Sequence, residues 1–201
     1  AGGAAPPRPA TGEYGTNFRY NWTIENMLMY NNKFGDHSID LLVGYTAQKS
    51  NSENGSLQGT DFPDDKISWL NVAATKTGTS YMEEYALLSV IGRANYSYKD
   101  RYLLQATIRR DGCSRFGSGK RWANFPSVSV GWIASDEPFM QPVSNVMNYL
   151  KFRASYGTTG NYNIGNYTHI APVQVSNYVF GNVLAPGKAI TGLGNSNLTW
   201  E

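Results

Sequence analysis

Apolar and polar residues alternate along six stretches of this chain, and almost every charge falls on only one of the two resulting rows. Residues two apart lie on the same side of a β-strand, so each stretch predicts a strand with one apolar and one polar face. The predicted strands cover residues 18–31, 38–48, 86–98, 102–109, 127–132 and 150–157. The sequence therefore predicts an all-β, antiparallel fold.

The position of the charges distinguishes a membrane strand from an ordinary half-buried one. The polar rows carry Arg19, Glu25, Asp40, Arg93, Arg109, Lys151 and Arg153. In the apolar rows, charges occur only at the ends: Lys49, Glu84 and Arg110. A charge facing the bilayer midplane costs roughly 2–4 kcal/mol, whereas one near the interface costs little. The distribution favours lipid against the apolar rows and water or protein against the polar rows.

The polar rows also contain apolar residues, which a lumen filled by protein could accommodate. They are Met27, Met29, Leu42, Leu87, Ile91 and Leu103.

The connections between predicted strands alternate in length. Residues 33–36 and 99–100 have the composition of tight turns. Long polar loops are predicted at about 50–81, 111–121 and 158–196, all at the opposite end. Short turns at one end and long loops at the other are typical of bacterial outer-membrane barrels, in which the long loops are extracellular.

Aromatic residues gather where the apolar rows end. At the short-turn end they are Tyr30, Tyr96, Tyr98, Tyr102 and Trp132. Toward the long-loop end they are Tyr20, Trp22, Tyr45 and Tyr156. Tyrosine and tryptophan combine an apolar body with a polar tip, which suits the headgroup level on both sides of a membrane.

Composition and motifs exclude several other classes. The net charge is +2, and the densest basic cluster, within 109–121, is interpreted as a solvated rim, so no nucleic-acid partner is predicted. Cys113 is the only cysteine, which excludes an internal disulfide and a multi-cysteine zinc site. No Ser-His-Asp set, His-Glu-x-x-His motif or complete phosphate loop is present. We therefore predict no catalytic residues, no cofactor, no metal and no enzymatic activity.

Three ordered blocks then carry a family resemblance: residues 102–117 (YLLQATIRRDGCSRFG), 125–132 (FPSVSVGW) and 150–161 (LKFRASYGTTGN). With the closing NLTWE at 197–201 and FGDHS at 34–38, they closely resemble the barrel of SusC-like TonB-dependent outer-membrane transporters of the Bacteroidetes. The resemblance runs from about residue 18 to residue 201.

The resemblance implies a fold and a set of partners. The family forms a transmembrane β-barrel of about 22 strands around a plug, so this chain is expected to be a mid-barrel piece: six strands plus the start of a seventh at 198–201. Residues 1–17 would be an extended or loop segment, residues 18–201 part of the barrel domain, and the plug would lie outside this sequence. The implied partners are a SusD-like surface lipoprotein, TonB-ExbB-ExbD acting through a segment ahead of the plug, outer-membrane lipid, and an oligosaccharide or peptide cargo.

The functional expectation is thus the barrel-wall portion of an importer of glycans or peptides in the bacterial outer membrane. Four loop aromatics are candidates for stacking on cargo: Tyr162, Tyr167, Tyr178 and Phe180. Packing within the loops is the alternative explanation for them. The alternative for the whole chain is a secreted, soluble β-sandwich that binds carbohydrate, which would bury the apolar rows against a second sheet.

Overall fold

The structure, a computed structural model, describes residues 10–63, 66 and 69–201. Its strands are β1 (Thr11–Phe34), β2 (His37–Thr60), β3 (Thr75–Tyr98), β4 (Tyr102–Cys113), β5 (Trp122–Ile133), β6 (Lys151–Gly157), β7 (Val173–Phe180) and β8 (Val183–Ile190). Within the described residues, β1 to β6 form one sheet in chain order, and β7 and β8 form a separate hairpin. The all-β prediction is confirmed.

Helical structure is limited to three short 3₁₀ segments, Leu70–Val72, Ala134–Asp136 and Pro138–Val143, in the described part of the chain. None of the described helices has the length and apolar character needed to cross a membrane.

The register of the sheet aligns the apolar rows of neighbouring strands. One cross-strand row on the apolar face consists of Tyr96, Leu104, Val130 and Ala154. The adjacent row, on the opposite face, consists of Asn95, Gln105, Ser129 and Ser155. Because side chains alternate between faces, the four antiparallel strands β3 to β6 share one apolar and one polar face, as predicted.

The apolar face remains exposed. Leu104, Val130 and Phe152 have exposed fractions of 45%, 51% and 55%. Fully burying one such side chain is worth about 1.5–3 kcal/mol, so a β-sandwich would cover these residues with a second sheet. In the described residues their exposure contradicts the sandwich alternative.

Tight turns close the predicted hairpins at the short-turn end. Gly35 has φ of +59°, and Lys99 and Asp100 have φ of +53° and +54°. Positive φ at both central residues is the geometry of a type I′ turn, whose twist matches that of paired strands. The backbone N–H of Lys99 also donates to the carbonyl oxygen of Asp36, at 2.7 Å, which links the two turns.

The chain divides into two compact units. One contains residues up to Trp22 together with Ser50–Glu84, and the other contains Thr23–Lys49 and Tyr85–Glu201. In the first unit, Asn17 donates to Ser52 and Asn54, and Ser56 donates to Glu13 at 3.1 Å. Polar residues thus pair across β1 and β2 in this unit.

The structure corrects the predicted loop at 50–81. Residues 50–60 belong to β2 and residues 75–81 to β3, which leaves 61–74 as the connection. These strand extensions have polar residues on both sides and therefore show no apolar alternation. Backbone pairing and cross-strand polar hydrogen bonds form them instead.

Other boundaries also change. Residues 11–17, predicted as an extended or loop segment, lie in β1, and residues 1–9 of that segment lie outside the described residues. The connection predicted at 111–121 begins only after β4 ends at Cys113. The predicted loop at 158–196 contains the hairpin β7–β8.

The strand start predicted at 198–201 is not a strand in the structure. The backbone N–H of Asn161 donates to the carbonyl oxygen of Glu201, at 2.8 Å. Trp200 packs among loop side chains. A strand requires a partner strand to pair its backbone groups, and this single contact does not extend into one.

Candidate functional site

Four aromatic rings pack together at the long-loop end; we call Phe116, Phe125, Tyr162 and Trp200 the Phe116 cluster. The Trp200 ring centroid lies 5.2 Å from that of Phe116, 5.4 Å from Phe125 and 5.9 Å from Tyr162. Phe116 has no exposed surface, and the Trp200 indole N–H donates to the carbonyl oxygen of Arg121, at 2.9 Å. The cluster joins the loop after β4 to the segment that follows β6.

A close backbone approach completes this packing. The Phe125 ring lies so near Gly160 that a Cβ atom there would collide with it. Only glycine, which has no Cβ atom, leaves room for the Phe125 ring at this position.

Arg115 connects the same two segments through polar contacts. Its guanidinium lies 4.2 Å from the ring centroid of Tyr85 and 5.8 Å from that of Tyr162, both cation–π geometries. Its Nε donates to Asn166 Oδ1 at 2.8 Å, and its backbone carbonyl lies 2.9 Å from His169 Nδ1. These contacts order the backbone around 162–169.

The four predicted stacking residues lie in different surroundings in the structure. Tyr162 is half-buried in the Phe116 cluster. Its position therefore agrees with the alternative explanation, packing within the loops. Tyr167 lies in a turn with φ of +62° and is exposed. Tyr178 and Phe180 lie on β7 and are exposed by 45% and 72%. Of the four, the last two share one strand.

A carboxylate centre lies at the short-turn end. Glu137 Oε1 accepts hydrogen bonds from the Tyr102 hydroxyl at 2.6 Å and the Trp132 indole N–H at 3.2 Å. Arg101 Nη1 lies 3.4 Å from the other oxygen, and the Glu137 side chain is only 11% exposed. Hydrogen bonds from Tyr102 and then Trp132 lower the pKa of Glu137 below its usual value, since they stabilise the charged form.

Aromatic rings also gather at this end; we call Phe34, His37, Tyr98, Trp132 and Phe152 the short-turn girdle. Stacked pairs form between Phe34 and His37, with centroids 5.4 Å apart, and between Trp132 and Phe152, at 5.9 Å. The His37 and Tyr98 rings lie 4.9 Å apart. The structure thus confirms the predicted gathering of aromatics at this end and adds Phe34, His37 and Phe152 to it.

The sequence does not reveal the residues that organise either end. Glu137 lies in an irregular connection without alternation, and Trp200 reaches a backbone partner 79 residues away. Neither spacing carries a periodic signal. The described residues contain no group of three or more His, Cys, Asp or Glu side chains placed to hold a metal ion.

Comparison with known proteins identifies relatives of this chain. No protein-family model matches the chain. The chain is 38% identical over 184 residues to TonB-dependent receptor P3 and 38% identical over 187 residues to TonB-dependent receptor P39, both of Formosa agariphila. It is 34% identical over 191 residues to TonB-dependent receptor SusC of Bacteroides thetaiotaomicron. These alignments cover 90%, 90% and 92% of this chain and 18%, 18% and 19% of the relatives.

Solved structures agree with the sequence relatives. The structure of the RagAB peptide transporter matches 94% of this chain with a TM-score of 0.82 and 30% identity, over 21% of its own length. The RagAB peptide importer in the 'open-open' state matches the same share with a TM-score of 0.80. The chain thus spans about a fifth of the length of the proteins that it matches.

The fold defines a class: antiparallel sheet of a TonB-dependent β-barrel transporter, not closed within this chain. Over 90% of its length, the chain is homologous to TonB-dependent receptors, SusC among them.

Proposed function

We propose that this chain forms part of the barrel wall of an active importer in the bacterial outer membrane. The observation that carries the proposal is the register, which collects the apolar rows of β3 to β6 on one exposed face. Such a face is stable in hydrocarbon, and closure by further strands would satisfy the backbone groups at the sheet edges. The opposite face would line the interior of the barrel.

The wider assembly is proposed from the relatives. Their names describe TonB-dependent receptors, so TonB-ExbB-ExbD would energise the whole protein through a segment other than this one. The match to SusC and to RagAB supports a SusD-like surface lipoprotein as partner.

The cargo class is proposed as glycans or peptides, since RagAB is described as a peptide importer and the family resemblance implies both classes. Among the loop aromatics, Phe180 is the most exposed, at 72%, and is the foremost candidate for stacking on cargo. Tyr178 is 45% exposed, with part of its ring against Gly187, and is a further candidate. Tyr162 and Tyr167 stay in the proposal, although the Tyr162 ring is already packed against Trp200.

The test is a pair of charges introduced at adjacent positions on opposite faces. In the full-length protein, Leu104→Arg places a charge on the apolar face, at a cost of roughly 2–4 kcal/mol near the midplane. Gln105→Arg places the same charge on the polar face. We expect Leu104→Arg to reduce the amount of folded protein in the outer membrane severalfold and Gln105→Arg to leave it near wild type.

The readout is the heat-modifiable, folded fraction in isolated outer membranes. Equal tolerance of both variants would reject the membrane assignment. Disruption of the gene should also abolish TonB-dependent uptake of at least one glycan or peptide.

A further inference from the structure

One arginine interrupts the apolar face of the sheet. In β3 to β6, the register places the even-numbered residues of each strand on this face. Among the residues of this face that the register pairs, Arg110 is the only charged one. It is exposed, and it pairs with Val90 on β3 and with Asn124 on β5. A charge on a lipid-facing row is costly at the midplane and tolerated near an interface, so the depth of Arg110 in the membrane matters.

Two tryptophans mark the edges of the apolar face on β4 and β5. Trp132 pairs with Tyr102, and Trp122 pairs with Gly112, which lies ten residues further along β4. At about 3.4 Å per residue and a strand tilt of about 40°, ten residues rise about 26 Å along the membrane normal, which matches the apolar band of roughly 25 Å in membrane barrels. Trp122 therefore lies at the headgroup level of the long-loop end, where tryptophan is favoured. Arg110 lies two residues closer to the midplane.

The Arg110 side chain lies next to the tryptophan at this edge. A Cβ atom at Gly112 would lie 2.9 Å from three atoms of the Trp122 ring, so the indole packs against the backbone of β4. The Arg110 guanidinium carbon lies 5.3 Å from the centroid of this ring, within cation–π range. Such a position is expected of an arginine that extends toward the interface. A cation–π contact does not neutralise the guanidinium, so its charge remains to be compensated.

Strands outside this chain would not cover Arg110. Strand β4 is paired on both sides, with β3 and β5, and the open edges of the sheet are β1 and β6. Further strands of a barrel would join at those edges, and anything inside the barrel would contact the opposite, polar face. On the outer side of a barrel wall, the anions at this height are those of lipid headgroups.

We propose that Arg110 and Trp122 form a binding site for the phosphate of a lipid headgroup in the outer leaflet. The inference rests on the proposed function as a barrel wall, whose long loops would be extracellular, and it names a lipid ligand of that wall. A guanidinium binds phosphate through paired N–H donors as well as through its charge. The half-exposed indole adds an apolar surface at the level where the headgroup joins the acyl chains.

The test is site-specific crosslinking in the full-length protein. The photoreactive residue p-benzoylphenylalanine replaces Leu88, which pairs with Gly112 at the long-loop edge, or Leu104, which lies nearer the midplane. The protein is reconstituted in phosphatidylcholine vesicles that contain either lipid A or lipid A whose phosphates have been removed. After illumination, mass spectrometry measures how much of each lipid is attached. Arg110→Gln is compared with wild type and with Arg109→Gln, which removes the neighbouring arginine from the polar face.

With the photoreactive group at position 88, we expect about fivefold more attachment of lipid A than of dephosphorylated lipid A, the effect of one arginine near an anionic lipid surface. Arg110→Gln should remove this preference, and Arg109→Gln should retain it. At position 104, both lipids should attach through their acyl chains.

The inference is overturned if lipid A shows no preference at position 88, or if Arg110→Gln retains the preference. Loss of the preference in both variants also overturns it, because net charge and not this site would then attract the lipid. If no lipid attaches at position 104, the barrel-wall function itself fails.

Discussion

The two ends of the sheet use the same kind of residue for different purposes. In the short-turn girdle, aromatic rings stay open to their surroundings: Phe152 is 55% exposed and Phe34 50% exposed. In the Phe116 cluster, Phe116 is fully buried. The first end is suited to contact with lipid headgroups, and the second is a small core that ties loops together. Aromatic content alone does not distinguish them, whereas exposure does.

The largest difference in stability between the two ends is expected when one aromatic ring is truncated at each end. Phe116→Ala removes a fully buried side chain, which typically costs about 3–5 kcal/mol. Phe152→Ala removes a ring of the same size from the exposed girdle and should cost much less. Hydrogen exchange of the full-length protein in detergent measures the local opening free energy of 114–121 and 158–201. Equal losses for both variants would show that the ends do not differ as described.

Arg115→Lys should have the next largest effect. Lysine keeps the charge but loses the planar guanidinium that lies over Tyr85 and bonds Asn166. Because the site is half-buried, we expect a loss of about 1 kcal/mol, confined to residues near 162–169. Lys120→Ala, in the same loop but without these contacts, is the control. Full protection in Arg115→Lys would mean that the ring packing alone orders the loop.

A pH effect should distinguish the short-turn end. The Tyr102 and Trp132 hydrogen-bond donors lower the pKa of Glu137 in the folded protein. Ionised Glu137 therefore contributes to folding stability above the ordinary glutamate pKa of about 4.3. This contribution is lost as the pH falls through the lower pKa of the folded state. Exchange of residues 134–150, corrected for its intrinsic pH dependence, should therefore accelerate on acidification in wild type. In Glu137→Gln it should be faster at neutral pH and show little further change. A wild-type pH response that persists in the variant would assign it to another group.

The smallest effect is expected at the turns. Lys33 Nζ lies 3.1 Å from Asp100 Oδ2, but both side chains are largely exposed, by 61% and 70%. Exposed pairs contribute well under about 1 kcal/mol. Lys33→Ala should leave the folded fraction in the membrane unchanged, even at low salt. A marked fall in the folded fraction of Lys33→Ala would show that this ion pair at the turns contributes more to assembly than its exposure implies.

The sequence predicts the alternating parts of the strands well, and it predicts the polar strand extensions and the hairpin β7–β8 poorly. Between β3 and β6, alternation follows from contact with two different surroundings, so the strands and their faces can be derived from the residue pattern alone. The extensions at 50–60 and 75–81 have polar residues on both faces, which removes the alternating signal. The hairpin β7–β8 lies inside a segment whose polar, irregular composition predicts a loop.

The candidate sites show the same limit. Tyr162 can be selected as an aromatic loop residue, but its packing against Trp200 depends on a long-range loop arrangement that no local pattern encodes.

The central claim, that the apolar face contacts acyl chains, is tested most directly by lipid-borne quenching. In a background in which Cys113, the single cysteine of this chain, and every cysteine in the rest of the protein are replaced by serine, one cysteine is introduced at Leu104 or Val130, or at Gln105 or Ser129. It is then labelled with a fluorophore. The full-length protein is then reconstituted in bilayers with lipids brominated along the acyl chain. We predict strong quenching at 104 and 130 and weak quenching at 105 and 129. Equal quenching at all four positions, or the reverse order, would contradict the account.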